Sequence, residues 1–423
     1  VKKAIYKAVF ISLIILISGC SNEKKEDENM TINEEMLGAW EGSIDIPQSP
    51  LSIILKLEEE GGTLSVPVQN LVDYPFSNVV YNSDDANLTM NLNGSKIAIK
   101  LSLSEGKLKG TFSQNGGTFP LELTPYEEEE KTYTEIEIDT EGGKLKAALQ
   151  LPEGDGPYPL SVIIAGSGPT DKNGNTIGAP GKNDSLKMLA ESLAAEGIAS
   201  IRYDKRGIGD NAKLEEKEED LRLEDFVTDA EALVEYARAD SQFSTVSIIG
   251  HSEGSLIGML ASIKSKTDSF VSMAGPARSA DAILLDQLQG QLPPELMKEA
   301  KEAIEQLRKG KTVDQLSPEL QALFRPSVQP YLISWFAYEP KTVINDIDAP
   351  ILIINGTYDL QVPHREAEML KAAESTAELF IIEEMNHILK KAPADEDGNL
   401  ATYLNPDLPI VPELITSITQ FLK

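Results

Sequence analysis

The residues best equipped for chemistry are a serine, a histidine and an aspartate that recur in one order in the C-terminal half of the chain. Gly250-His251-Ser252-Glu253-Gly254 is a G-x-S-x-G run. It follows the apolar stretch 246–249 and precedes a helical pattern, the setting of a nucleophile elbow. A nucleophilic serine needs a tight strand-to-helix turn that lifts its Oγ clear of the backbone. Glycines two residues to either side let strand and helix pass without Cβ clashes. A base must take the serine proton, and the chain has three histidines. His251 adjoins the nucleophile and is expected to point away from its Oγ. His364 follows Val362-Pro363 at an expected helix start. His387, in a loop just past the apolar stretch 379–382, is the one placed to reach the serine. A carboxylate should orient that imidazole and stabilise its charged form. Asp359 follows the apolar stretch 351–354 and is the candidate. Asp204 precedes the serine and reads instead as part of a paired, turn-stabilising cluster, Asp204-Lys205-Arg206-Gly207. An oxyanion would be held by the N–H of Glu253 and by a second N–H from the glycine-rich 165–169 loop. Ser167 is the first choice there, with Gly168 close behind; the alternative is a plain tight turn.

These residues need a frame that brings strand ends together. From Thr132 onward, short apolar runs at 160–165, 198–203, 246–249, 270–273, 351–354 and 379–382 alternate with helical patterns at about 185–196, 223–238, 254–265 and 364–373. Such strands are buried on both faces, so the expected fold class is α/β, a mainly parallel sheet with helices on both faces. Every candidate above lies just past a strand's carboxyl end, where ligands bind in such sheets. Runs at 132–139 and 144–151 predict a leading hairpin. Between about 278 and 345 lies an insert in which Met297, Ala300, Ile304 and Leu307 have helical spacing, as do Leu316, Leu320, Leu323 and Phe324. Tyr331, Leu332, Trp335 and Phe336 add aromatic bulk. The insert is expected to form a helical lid, with most of these side chains packing on each other and a minority lining a pocket.

Residues 36–125 have a different period. Leu51, Ile53, Leu55 and Leu57 alternate with mostly polar neighbours, as do Leu88, Met90 and Leu92, then Ile97, Ile99, Leu101 and Leu103, then Phe119, Leu121 and Leu123. Period two predicts half-buried strands, and Asn93-Gly94 predicts a hairpin turn. The reading is a small N-terminal antiparallel β-domain, a curved sheet or partial barrel, with Trp40 as a core plug and no chemistry of its own. The four acids at 127–130 mark a linker before an α/β domain at 132–423.

Gly-Ser-Gly-Pro at 166–169, Tyr-Asp-Lys-Arg-Gly-Ile-Gly at 203–209, Gly-His-Ser-Glu-Gly at 250–254, Gly-Thr-Tyr-Asp-Leu-Gln-Val-Pro at 356–363 and Asn-His at 386–387 occur in this order. The set resembles the bacterial two-domain carboxylesterases related to serine aminopeptidase-like α/β-hydrolases. The resemblance covers about 132–423 and, more weakly, Leu37-Gly38-Ala39-Trp40-Glu41-Gly42. It implies an α/β-hydrolase fold and a serine hydrolase cleaving short-to-medium acyl esters through an acyl-enzyme. Two departures stand out: Ala165 replaces a histidine common before the oxyanion glycine, and Glu253 puts an acid beside the nucleophile. Two alternatives remain. One is a serine aminopeptidase or other amide or thioester hydrolase, with Glu253 holding a substrate ammonium. The other is a catalytically inactive binding lipoprotein.

A net charge of −30 excludes nucleic acid as a natural partner and disfavours a protein lying flat on anionic lipid. No cofactor is expected, because no phosphate-binding glycine motif is correctly placed. No metal is expected either, given one cysteine and three histidines. That cysteine, Cys20, closes a basic start (Lys2, Lys3, Lys7) and an apolar run. Residues 1–19 read as a signal peptide and the ending resembles a lipobox. Cys20 would then carry a lipid anchor, with 20–35 as a polar tether to an extracytoplasmic enzyme. Cys20→Ala is expected to shift the protein from the detergent phase to the aqueous phase on detergent partitioning. Unchanged partitioning would remove the anchor from Cys20.

Overall fold

The computed structural model describes residues 32–423, apart from 47–49, 67–68, 70, 93, 127–130, 178–180 and 215–216. Cys20, Asn93 and the acidic run at 127–130 lie outside the described residues.

The N-terminal unit is one antiparallel sheet of nine strands in the order β4-β3-β2-β1-β9-β8-β7-β6-β5. The strands are β1 (Gly38–Ile44), β2 (Leu51–Glu58), β3 (Gly61–Val66), β4 (Leu71–Pro75), β5 (Asn78–Asn82), β6 (Asp85–Leu92), β7 (Ser95–Ser104), β8 (Lys107–Gln114) and β9 (Gly117–Pro125). The alternating apolar residues form its core, among them Ile53, Leu55, Leu57, Leu88, Met90, Ile97, Ile99 and Leu101. Trp40 lies among them and donates its indole N–H to the Met36 carbonyl at 2.9 Å. The link between edge strands β4 and β5 curls the sheet on itself. The Phe76 N–H donates to Gly62 O in β3 and the Ser77 N–H to Thr89 O in β6. Strands β1, β3, β4, β5 and β8 escaped the period-two reading because glycines, short length and polar faces dilute the alternation.

The second sheet has eight strands in the order β10-β11-β13-β12-β14-β15-β16-β17. They are β10 (Thr134–Thr140), β11 (Gly143–Gln150), β12 (Tyr158–Ile164), β13 (Ala199–Tyr203), β14 (Phe243–His251), β15 (Phe270–Met273), β16 (Ile351–Gly356) and β17 (Glu378–Ile382). The β10–β11 hairpin joins β13 antiparallel, and every later pairing is parallel. Successive strand residues face opposite layers. Ile163, Ile249, Val271, Leu352 and Ile354 meet α1 (Ser185–Ala195) on one side. Val162, Ile164, Ile248, Phe270 and Ile353 meet α2 (Leu223–Ala239) and α3 (Glu253–Ser265) on the other.

The insert after β15 contains α4 (Ala280–Leu288), α5 (Pro294–Arg308), α6 (Gln321–Phe324), α7 (Gln329–Phe336) and α8 (Pro340–Val343). The 316–324 spacing yields less helix than expected: a 3-10 turn, Pro318–Leu320, and the single turn of α6. Pro318 lacks an N–H to continue a helix from upstream, and Pro326 ends it. The chain closes with α9 (Arg365–Ala373), α10 (Glu396–Ala401) and α11 (Pro412–Leu422). Helix α11 was not anticipated; it packs Leu414 and Ile418 on the α1 side. Among the described residues no helix is long and apolar enough to cross a membrane.

Strand β12 is the switch point, since its two neighbours are β13 and β14. Helix α3 leaves β14 so close to β12 that a Cβ on Gly254 would sit 2.4 Å from Ile164 O and 2.7 Å from Ala165 O. Gly94 has φ +82° and nothing within 4 Å of a Cβ. In urea unfolding, Gly254→Ala should cost about 3 kcal/mol through overpacking. Gly94→Ala should cost only about 1 kcal/mol, for its backbone conformation. Equal losses would contradict the close approach of α3 to β12.

Candidate active site

Ser252 occupies the turn between β14 and α3 with φ +55° and ψ −119°, a conformation that non-glycine residues rarely hold. The crowding around it explains its glycines. A Cβ on Gly250 would meet Gly254 O at 2.2 Å, and one on Gly166 would meet Ser252 Cβ at 3.2 Å. The Ser252 N–H donates to Met273 O at 2.9 Å, and Ser252 O accepts from Ser255 N at 3.0 Å. The turn is therefore pinned from the neighbouring strand and from its own helix.

Asp359 and His387 are brought together. His387 Nδ1 lies 2.8 Å from Asp359 Oδ2. The other carboxylate oxygen accepts the N–H groups of Gln361 and Val362, each at 2.8 Å. The carboxylate is thereby fixed, and Nδ1 is the ring nitrogen that faces it, with Nε2 turned away. Gly356 lets the two loops approach, because a Cβ there would lie 1.9 Å from Met385 O. Asn386 donates to Asn399 Oδ1 and Thr402 Oγ1, while Asn399 donates to Tyr358 O. The segment carrying α10 thus braces both loops. Nothing in the spacing of Asn399 and Thr402 pointed to this, since it is a contact between distant parts of the chain.

Ser252, His387, His251, Gly166 and Ser167 line one cavity of about 110 Å³, which Gln361, Ile388 and Tyr403 also wall. His251, next to Ser252 in the chain, lies on the same wall, with its ring engaged by the His387 loop. Its Nε2 is 2.8 Å from His387 O, and its ring centroid is 4.8 Å from that of His387. Burial, reinforced by His387, pushes the His251 imidazole down to about 4. It is a neutral brace for the His387 backbone. His364 sits outside this wall, at the start of α9.

The two expected oxyanion donors flank the serine. Ser167 is on the cavity wall and Glu253 is the first residue of α3. Among the described residues neither N–H is committed to a main-chain acceptor. The Glu253 side chain is not available for a substrate ammonium. It is buried, Lys205 Nζ donates to it at 2.6 Å, and Tyr331 OH donates to its other oxygen. Burial first, and then this carboxylate, raise the Tyr331 phenol well above its usual value.

The Asp204 cluster is a structural turn, as expected, with one exception. Asp204 accepts from Lys172 N and Asp210 N, Arg206 forks onto Asp229, and Gly209, at φ +51°, leaves room for the Asp204 carboxylate. Lys205 instead crosses to the oxyanion loop and Glu253.

A wider pocket of about 560 Å³ is lined by Gly168 and Pro169, by Leu221 and Phe226, and by Val328 and Tyr331 of the insert. Among the described residues no group of three or more histidine, cysteine or acidic side chains could hold a metal ion.

Residues 180–329 match the family model described as serine aminopeptidase, S33. That stretch, about a third of the chain, is similar to the serine aminopeptidase-like α/β-hydrolases. The chain is 27% identical over 310 residues to esterase EstD of Thermotoga maritima, covering 72% of this chain and 71% of that protein. Two solved structures of lower identity also align. Est1E of Butyrivibrio proteoclasticus with bound ferulic acid is 21% identical over 67% of this chain and 98% of that one, with a TM-score of 0.46. A proline iminopeptidase of Mycobacterium smegmatis is 17% identical over 68% of this chain and 97% of that one, with a TM-score of 0.45. The family match spans α1 to the start of α7, including the Ser252 turn. It ends before Asp359 and His387.

The buried, neutral His251 gives a test. Between about 4, its folded value, and 6.5, the ordinary value, the unfolded chain binds a proton that the folded chain does not. Stability from this residue is therefore present above pH 6.5 and lost as the pH falls towards 4. The Tm of wild type relative to His251→Gln should drop between pH 7 and pH 4.5 in paired thermal melts. Asp171, raised to about 6 chiefly by burial, titrates in both proteins and cancels in that difference. A constant difference would show that His251 is not buried neutral.

Proposed function

We propose that this α/β-hydrolase is a serine carboxylesterase acting on short acyl esters, with Ser252 as nucleophile, His387 as base and Asp359 as its orienting acid. The observation that carries the reading is the 2.8 Å contact of His387 Nδ1 with Asp359, made by a ring on the same cavity wall as Ser252. In the first step Ser252 Oγ bonds to the ester carbonyl carbon and its proton passes to His387 Nε2. The carbonyl oxygen becomes an oxyanion facing the Ser167 and Glu253 N–H groups, beside the positive end of α3. The carbon–oxygen bond to the alcohol then breaks, and His387 returns the proton to the leaving oxygen. Water, deprotonated by the same imidazole, hydrolyses the acyl-enzyme and restores Ser252.

The esterase relative supports an ester substrate, and the occupied Glu253 carboxylate removes the feature that favoured an aminopeptidase. The volumes suggest how an ester is divided. The cavity of about 110 Å³ receives the acyl group, and the pocket of about 560 Å³ receives the alcohol. Helix α7 covers that second pocket as a lid, with Tyr331 packed edge-on against Phe226 at 5.7 Å between centroids. The enzyme is further proposed to be held outside the cell membrane by lipid on Cys20.

The test is a kcat/KM series of p-nitrophenyl acetate, butyrate, octanoate and laurate against aminoacyl and prolyl anilides. Activity should peak at acetate or butyrate and fall with longer acyl chains. Ser252→Ala and His387→Ala should each lose on the order of 10⁴-fold or more in kcat, and a fluorophosphonate should label Ser252. An anilide surpassing every ester would overturn the esterase reading and leave the nucleophile standing. An adduct on another serine would remove the nucleophile itself.

A further inference from the structure

We infer that Lys205 is the positioning residue of the oxyanion hole, holding both of its N–H donors from behind with one buried ammonium. The inference rests on the reading of Ser252 as nucleophile with Ser167 and Glu253 as donors. Lys205 follows β13, and its side chain is only 4% exposed. Its Nζ donates to Gly166 O at 2.7 Å and to Glu253 Oε2 at 2.6 Å, and it lies 5.0 Å from the Phe226 ring centroid.

The first contact matters because of peptide geometry. Gly166 O and the Ser167 N–H are the two ends of one peptide unit, and in a trans peptide they point in opposite directions. An ammonium on the oxygen fixes the plane of that unit and so the direction of its N–H. It also draws electron density towards the oxygen, which leaves the N–H a stronger donor in a site shielded from water. The second contact grips the side chain of the residue whose own N–H is the other donor. Lys205 therefore sets the spacing between two donors that come from different strands, β12 and β14. Its charge also has the sign that favours an oxyanion. Tyr331 OH on the far oxygen of Glu253 extends the arrangement to helix α7.

A lysine that only stapled strands together would act through its pairing with Glu253, and loss of either partner would then have equal effect. The positioning role makes the two unequal, because only Lys205 touches the Gly166–Ser167 peptide. Lys205→Met, Glu253→Gln and the double variant K205M/E253Q, which leaves no unpaired buried charge, are compared in the full chain. The readouts are kcat and KM for p-nitrophenyl acetate, Ki for phenylboronic acid as a tetrahedral mimic, and thermal melting. Both variants lacking Lys205 should lose about 10- to 100-fold in kcat, with a parallel rise in the boronate Ki and KM within about threefold. Glu253→Gln, which can still accept from Lys205, should lose less in kcat than either variant lacking Lys205, with a smaller rise in the boronate Ki. Should Lys205→Met not fold, the double variant and Glu253→Gln carry the comparison. A folded double variant with wild-type kcat and Ki overturns the inference, as does a Glu253→Gln loss as large as that of Lys205→Met. Failure of a fluorophosphonate to label Ser252 in wild type removes the underlying reading instead.

Discussion

The strand-to-helix turn at Ser252 can form only where backbone meets backbone with no side chain between them. A serine at φ +55° costs about 1–3 kcal/mol relative to an ordinary conformation. The surrounding packing must over-determine it. Gly250 and Gly254 let α3 lie on β12 and β14 at distances a Cβ would forbid, and Gly166 lets the next loop reach Ser252. The apolar layers on both faces of the sheet supply the stability that keeps this turn in place. Two consequences follow from that one constraint. Ser252 stands at the carboxyl edge of the sheet, and among the described residues the Glu253 N–H that opens α3 has no main-chain acceptor.

The polar groups around the turn are braced in pairs. Asp359 accepts two main-chain N–H groups besides its contact with His387, so its carboxylate has one orientation. His251 supports the His387 backbone, and Asn386 ties the same loop to Asn399 and Thr402. Breaking a buried pair such as Lys205–Glu253 by removing one partner typically costs about 3–5 kcal/mol, because the remaining charge is stranded. Such pairs are thus poor places for neutral drift, whatever their part in turnover. Preorganisation of this kind lets dipoles meet a developing charge without first turning towards it.

The insert between β15 and β16 connects that polar frame to substrate shape. Its helix α7 spends most of its apolar residues on the core, as Leu332 and Phe336 do. Val328 and Tyr331 reach the wider pocket, and Tyr331 also bonds to Glu253, the residue after Ser252. Helix α7 and the Ser252 turn are therefore linked through a single carboxylate. The curled N-terminal sheet closes on its own apolar core, and its alternation leaves no apolar residue asking for a catalytic role.

The amino-acid sequence by itself determined the strands of the parallel sheet, four of its helices and the order of Ser252, Asp359 and His387. Those features are local: a continuously apolar run must be buried on both faces, and a glycine-flanked serine after such a run must turn tightly. Short or glycine-rich strands such as β3 and β4 were hidden because their pattern is too brief to show a period. The 316–324 segment misled because apolar spacing ignores the prolines that cut a helix short. Only the tertiary structure decided that His251 braces the His387 carbonyl, that Asn399 and Thr402 brace the histidine loop, and that Glu253 is spent on Lys205 and Tyr331. Each of these is a contact between residues far apart in the chain, where spacing carries no information. Lys205 had been visible only as one charge in a turn; its reach across to Gly166 depends on β13 and β14 lying on opposite sides of β12.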